Sequence, residues 1–85
     1  MKAMVRLFAR LSELAGVREI EVELGEGLTA GEVYTLLCRN YPALTGFEGT
    51  LMFAVNAEYV TPEHPVREGD EIALIPPVSG GGRAV

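Results

Sequence analysis

Residues 18–24 predict a strand in which charged and apolar side chains alternate from Glu19 to Leu24, and this pattern restricts the fold more than any other feature of the chain. Successive side chains of a β-strand point to opposite faces of its sheet. The predicted core set is Ile20, Val22 and Leu24, and the predicted solvent set is Glu19, Glu21 and Glu23. A sheet with one apolar face needs a second layer to cover that face.

Four other segments predict further strands of the same sheet, because they are short, apolar and bounded by turn residues. They are residues 3–9, 50–55, 59–60 and 71–75. The short gap between the first two strands indicates a hairpin. Residues 11–15 could add one helical turn within that gap, ended by Gly16.

The second layer is a helix predicted over residues 30–41. Thr29 and Glu32 have the spacing of a capping box, in which each residue satisfies a backbone N–H of the other. Pro42 ends the helix. Apolar residues recur at helical spacing at Val33, Leu36, Leu37 and Tyr41.

The resulting order is β-β-α-β-β-β, which predicts an α+β protein with the β-grasp (ubiquitin-like) fold. We expect a mixed sheet of about five strands and one main helix, with the first and last strands parallel at the centre. A length of 85 residues allows one domain. We place the β-grasp domain at 1–78 and a flexible glycine-rich C-terminal tail at 79–85, containing Gly80, Gly81 and Gly82.

One helix can cover only one face of the sheet, so the other face should stay open. Strand parity places several large apolar side chains there. These candidates for partner binding are Phe8, Met52, Tyr59 and Ile75. A contiguous exposed apolar patch usually marks a binding surface, whereas isolated exposed apolar residues are ordinary.

Composition excludes several classes of function. The net charge of −5 argues against nucleic-acid binding, which needs clustered basic residues. No apolar run is long enough to span a membrane, and we expect a cytoplasmic protein. Cys38 is the only cysteine and His64 the only histidine, so no metal site is predicted.

The end of the chain closely resembles that of the MoaD family, the small subunit of molybdopterin synthase. The resemblance is strongest over 64–81, with Gly-Asp-Glu at 69–71 and Pro-Pro-Val-Ser-Gly-Gly at 76–81. Val-Arg-Leu-Phe-Ala at 5–9, Leu-Ala-Gly at 14–16 and Ala-Val-Asn at 54–56 also match. The resemblance covers residues 3–81.

This resemblance implies a ubiquitin-like sulfur carrier. An E1-like adenylyltransferase, similar to MoeB, would use ATP to activate the terminal glycine, and a sulfurtransferase would convert it to a thiocarboxylate. A MoaE-like large subunit would hold the active site, where the sulfur passes to cyclic pyranopterin monophosphate. The chain itself would bind no cofactor and would not be an enzyme alone. Phe8, Tyr59 and Ile75 match family positions on the partner surface.

The chain departs from the family pattern after Gly81. Family members end at that glycine, whereas here the sequence continues with Gly-Arg-Ala-Val at 82–85. A carboxyl group within a peptide bond cannot be adenylated. We therefore expect a C-terminal processing protease to expose Gly81, with Gly82 as the alternative.

Three other functions are consistent with the same residues. The chain could be a sulfur carrier for thiamine, cysteine or tRNA thiolation, or a protein modifier that is conjugated through its C-terminal glycine. It could also be a plain binding domain with an incidental glycine tail.

Overall fold

The computed structural model describes residues 1–77. Its elements are β1 (Lys2–Leu7), α1 (Arg10–Ala15), β2 (Glu19–Glu23), α2 (Ala30–Asn40), a 3₁₀ turn (Pro42–Leu44), β3 (Met52–Val55), β4 (Glu58–Val60) and β5 (Glu71–Ile75). The predicted order of strands and main helix is confirmed.

The five strands form one mixed sheet in the order β2-β1-β5-β3-β4. β1 and β5 are parallel and central, with Val5 beside Ile72 and Leu7 beside Leu74. The other three pairings are antiparallel. The prediction that the first and last strands lie parallel at the centre is therefore confirmed.

Helix α2 and one face of this sheet enclose the core. The buried side chains follow the predicted parity of β1 and β5, in which alternate residues are inaccessible. The largest fully buried side chains are Val5, Leu11, Val33, Leu37, Leu44, Ile72 and Leu74. Burying one such side chain stabilises a fold by about 1.5–3 kcal/mol, so these residues dominate the stability of the domain.

The start of α2 has the predicted capping box. The Glu32 N–H donates to Thr29 Oγ1 at 3.3 Å, and the Thr29 N–H donates to Glu32 Oε1 at 2.9 Å. At the other end the Tyr41 N–H still bonds the Leu37 carbonyl, at 2.7 Å, but Tyr41 has non-helical dihedral angles. The helix therefore ends one residue earlier than predicted.

β1 is shorter than the predicted segment 3–9, because Ala9 leaves the extended conformation. Its φ of 51° interrupts the strand. The Ala9 carbonyl accepts hydrogen bonds from the backbone N–H and the hydroxyl of Ser12, at 3.1 and 2.8 Å. These bonds start helix α1, which ends as predicted at Gly16 with φ of 80°.

The segment between α2 and β3 begins with the 3₁₀ turn, which hydrogen bonds of Tyr34 stabilise. The Tyr34 hydroxyl donates to the Leu44 carbonyl at 2.6 Å and accepts from the Phe47 N–H at 3.1 Å. Burial raises the pKa of Tyr34 to about 12, and the neighbouring Cys38 acts in the same direction. Such long-range contacts have no signature in the local sequence.

β3 begins at Met52 rather than at Thr50. The backbone N–H and the hydroxyl of Thr50 both donate to the Phe47 carbonyl, at 3.0 and 2.9 Å. These groups close a turn, so Thr50 does not join the ladder.

A two-residue turn joins β3 to β4. Asn56 and Ala57 both have positive φ, 51° and 73°, which is the type I′ geometry that suits a twisted hairpin. Asn56 is also tied to β5, since its Oδ1 accepts from the Glu71 N–H at 3.0 Å. The turn places Tyr59 on the sheet at a defined register opposite Ala54.

Candidate partner-binding site

The open face of the sheet contains an apolar surface that we call the sheet-face patch. Its members are Phe8, Met52, Tyr59 and Ile75. The exposed fractions are 41% for Phe8, 49% for Met52 and 70% for Tyr59, while Ile75 is half-buried. The prediction that these side chains share an uncovered face is confirmed, and their role in binding remains a prediction.

The sheet register brings residues from four strands or their ends together in the patch. The Phe8 N–H donates to the Leu74 carbonyl at 3.3 Å, which continues the β1–β5 ladder and sets Phe8 beside Ile75. Ile75 in turn pairs with Met52. Tyr59 extends the patch to the outer strand β4. Residues separated by up to 67 positions in sequence therefore form one surface.

A charged border closes one side of the patch. The guanidinium of Arg6 lies 3.4 Å from a Glu19 carboxylate oxygen and 3.5 Å from one of Glu71. Its Cζ atom is 5.8 Å from the centre of the Phe8 ring, within the range of a cation–π interaction. Because all these groups are exposed, the ion pairs add little stability. They hold the Arg6 guanidinium in place over the Phe8 ring.

The sequence did not identify Arg6 as part of the site. The available signal was its parity: Arg6 shares a face with Phe8, two positions away on the same strand. Its acidic neighbours come from β2 and β5, so only the sheet order identifies them.

The patch adjoins the end of the described chain. β5 ends at Ile75, itself a patch residue, and the next two residues are the buried Pro76 and the exposed Pro77. The chain therefore reaches the last described residue beside the patch. The predictions for Gly80, Gly81 and Gly82, and the domain boundary after residue 78, lie outside the described residues.

The described part of the chain offers little other chemistry. Within residues 1–77 no group of three or more His, Cys, Asp or Glu side chains is placed to hold a metal ion. Cys38 is half-buried on α2, and His64 is exposed in the loop before β5. Neither helix in this range has the length and hydropathy needed to cross a bilayer.

Fold and site together define a class: a ubiquitin-like β-grasp protein with an exposed apolar surface that includes the end of its last described strand. The model described as the ThiS family matches residues 5–81, so the chain belongs to the ThiS family. A Chlamydomonas reinhardtii protein named molybdopterin synthase sulfur carrier subunit is 41% identical over 83 residues, which are 95% of this chain and 100% of that protein. The resemblance to MoaD proteins is confirmed.

Two solved structures extend the comparison. The crystal structure of SAMP1, a small archaeal modifier protein from Haloferax volcanii, matches with a TM-score of 0.83 and 31% identity, covering 95% of this chain and 100% of that one. A chain in the complex of subunits 1 and 2 of the Helicobacter pylori molybdopterin-converting factor matches with a TM-score of 0.65 and 23% identity, covering 95% and 100%. The second match shows the shared fold alone.

Proposed function

We propose that this chain is the sulfur-carrier subunit of a molybdopterin synthase and acts in the cytoplasm. The observation that carries the proposal is the position of the sheet-face patch, which includes Ile75 at the end of the last strand. In a complex formed through that patch, the chain would leave β5 next to the partner's surface, and the glycines follow a few residues later in the sequence. Similarity to named sulfur carriers supports the same function.

The reach of the tail suits delivery of a reactive group. Gly81 is six positions after Ile75 in the sequence, so their Cα atoms are at most about 20 Å apart. Gly80 and Gly81 lack side chains and can enter a channel too narrow for other residues. The body would bind the partner while the tail brings its terminal carbonyl to the partner's active site.

The chemistry would occur at the carboxyl carbon of Gly81. The carboxylate attacks the α-phosphate of ATP on an E1-like adenylyltransferase, and pyrophosphate leaves. The sulfurtransferase persulfide attacks the acyl adenylate and displaces AMP, and a thiol reductant then cleaves the acyl disulfide to release the thiocarboxylate. In a MoaE-like large subunit, that sulfur passes to cyclic pyranopterin monophosphate, and catalytic side chains come from the large subunit.

Activation requires a free carboxylate at the correct glycine. Because Gly81 is followed by residues 82–85 in this sequence, the proposal includes prior cleavage after Gly81, with cleavage after Gly82 as the alternative. Three forms ending at Gly81, at Gly82 and at Val85 would separate these cases. We expect the adenylyltransferase to release pyrophosphate with the Gly81 form and not with the Val85 form.

Mass spectrometry and synthase turnover test the proposal. The Gly81 form, incubated with the adenylyltransferase, ATP and a sulfurtransferase, should gain the mass difference between sulfur and oxygen. It should then support molybdopterin formation with a MoaE-like subunit. A chain that is adenylated but never thiolated, or that is thiolated without supporting turnover, would contradict this function.

A second candidate is a protein modifier, which the similarity to SAMP1 favours. The same activated glycine would then form an amide with a lysine of a target protein. Conjugates of the Gly81 form that resist thiol reagents and disappear in a Gly81→Ala variant would support this function. Thiocarboxylate formation without conjugates would exclude it.

A further inference from the structure

Within residues 1–77, no strand is paired with the outer edge of β2. β2 is the first strand of the sheet and pairs only with β1. The Leu7 N–H bonds the Arg18 carbonyl at 2.8 Å, and the Leu24 N–H bonds the Met1 carbonyl at 2.6 Å. Because antiparallel ladders alternate, residues 18, 20, 22 and 24 turn their backbone groups toward β1. The N–H and C=O groups of the three residues between them therefore point outward.

A groove runs along this edge on the helix side of the sheet, lined by apolar side chains together with Asn40, Glu21 and Glu23. Its volume is about 540 Å³, between β2 and α2. Half-buried Ile20 and Val22 form one wall, and half-buried Leu36 and Tyr41 form the other. Buried Val33 and Leu37 also contribute to its lining. The groove thus exposes apolar surface next to unpaired backbone groups.

The opposite side of the same edge is acidic. Glu19, Glu21 and Glu23 alternate with the groove residues and are all exposed. Glu19 is 3.4 Å from Arg6 and Glu23 is 3.0 Å from the N-terminal ammonium, whereas Glu21 has no ion pair within residues 1–77. A strand added here would meet apolar surface on one face and negative charge on the other.

We propose that the β2 edge binds an extended segment of a partner protein in which apolar residues alternate with Lys or Arg. The segment would add as a sixth strand, bonded to the outward backbone groups of β2. In an antiparallel pairing, residues directly opposite each other share a face. Residues opposite the three glutamates would be basic, and those opposite Ile20 and Val22 would be apolar and enter the groove.

Charge decides between this occupant and a second copy of the chain. An antiparallel β2–β2 contact centred on Glu21 would place Glu21 opposite Glu21 and Glu19 opposite Glu23. Like charges directly opposite each other destabilise a strand pair, and charged edges are a common protection against self-association. A basic strand reverses the sign of every one of these contacts.

This surface is separate from the sheet-face patch. The patch lies on β1, β5, β3 and β4, whereas the groove lies on the helix side at the β2 end of the sheet. The two surfaces meet at Glu19, which contacts Arg6 at the border of the patch. The proposal does not depend on the function proposed for the tail.

The probe is a capped peptide of sequence Lys-Val-Lys-Ile-Lys-Val, added to the full-length protein and followed by amide NMR. We expect slowed hydrogen exchange at the amides of Glu19, Glu21 and Glu23, together with shift changes in the groove residues of α2. The same peptide with each Lys replaced by Glu should not bind. Equal binding of both peptides, shift changes confined to the sheet-face patch, or no binding would overturn the proposal.

Two substitutions separate strand addition from attraction between charges. Glu21→Gln removes one charge and should weaken binding by about two- to fivefold at low salt. Glu21→Pro also removes the outward N–H, which an edge strand tolerates, and should weaken binding roughly tenfold or more. Equal affinities for the two variants would show that charge alone accounts for binding.

A third variant tests the groove without altering the edge. Leu36→Ala should weaken peptide binding several-fold, whereas Thr35→Ala, one residue away and outside the groove, should not. This pair decides the outcome even if Glu21→Pro disturbs folding. Unchanged affinity in Leu36→Ala, or concentration-dependent dimerisation through β2, would contradict the assigned occupant.

Discussion

The two faces of the sheet differ in their surroundings: α2 covers one face, whereas the other face bears the exposed sheet-face patch. On β5, Leu74 is fully buried under α2, whereas its neighbour Ile75 belongs to the sheet-face patch. On β1, Leu7 and the adjacent Phe8 are divided in the same way. The comparison teaches that hydrophobicity alone does not assign a residue to the core. Position along a strand relative to the single covering helix decides its role.

The largest expected effect comes from a core residue of this comparison. Leu74→Ala should lower the free energy of unfolding by about 2–5 kcal/mol, since it leaves a cavity against α2. Ile75→Ala should cost about 1 kcal/mol or less, because that side chain is already partly exposed. Urea denaturation of both variants measures the difference. Equal losses would break the distinction between the faces.

The next effect concerns partner binding. Phe8→Asp should weaken binding of a MoaE-like subunit roughly 30-fold or more, as expected for a central aromatic contact. Val17→Asp is a matched control, because Val17 is 40% exposed, close to Phe8 at 41%, but lies outside the patch. Isothermal titration calorimetry should show near-normal binding for the control. Similar losses in both variants would remove the patch from the proposed function.

A smaller loss of stability is expected from removing the Tyr34 hydroxyl, which lies on the side of the sheet that α2 covers. Tyr34→Phe should cost about 1 kcal/mol at neutral pH, because the Leu44 carbonyl and the Phe47 N–H lose their partner. Urea denaturation at pH 7 measures this loss.

The same residue should also produce a pH dependence. The pKa of Tyr34 is raised to about 12 in the folded protein, above the usual value of about 10. Its contribution to stability is fully present below pH 10 and falls as pH rises between the two values. The free energy of unfolding of the original protein should therefore fall more steeply over this pH range than that of the Tyr34→Phe variant. Urea denaturation at several pH values measures both. Parallel pH profiles would contradict the assignment.

The smallest effect concerns the hairpin that positions Tyr59. Ala57→Gly should raise the free energy of unfolding by about 0.5–1 kcal/mol, because φ of 73° is strained for alanine and free for glycine. Ala43→Gly is the control: Ala43 is exposed and lacks positive φ, so this change should destabilise slightly. Thermal unfolding measures both. Partner binding should not change in either variant.

The local sequence predicted the strands and helices well where short-range interactions determine them. Alternation over β2 and the capping box at Thr29 are short-range features, and both appear as predicted. The errors lie where hydrogen bonds outside the periodic pattern intervene. The 3₁₀ turn depends on a hydroxyl from α2, and β3 begins late because Thr50 bonds back to Phe47, three residues earlier.

The candidate site was predicted unevenly for the same reason. Phe8, Met52, Tyr59 and Ile75 follow from strand parity and a count of helices. Arg6 as the border of the patch required the order of strands, which brings Glu19 and Glu71 to its two sides. The groove beside β2 could not be predicted, because its width depends on the distance between β2 and α2, and sequence periodicity carries no information on that distance.

By itself the sequence determined which side chains face the core, where α2 begins, and that one face of the sheet is not covered by a helix. Those properties are encoded by side-chain type at periods of two and 3.6 residues. Only the tertiary structure decided which exposed residues become neighbours and which backbone edge remains unpaired. Those outcomes depend on strand order and register, which arise from packing distant segments together.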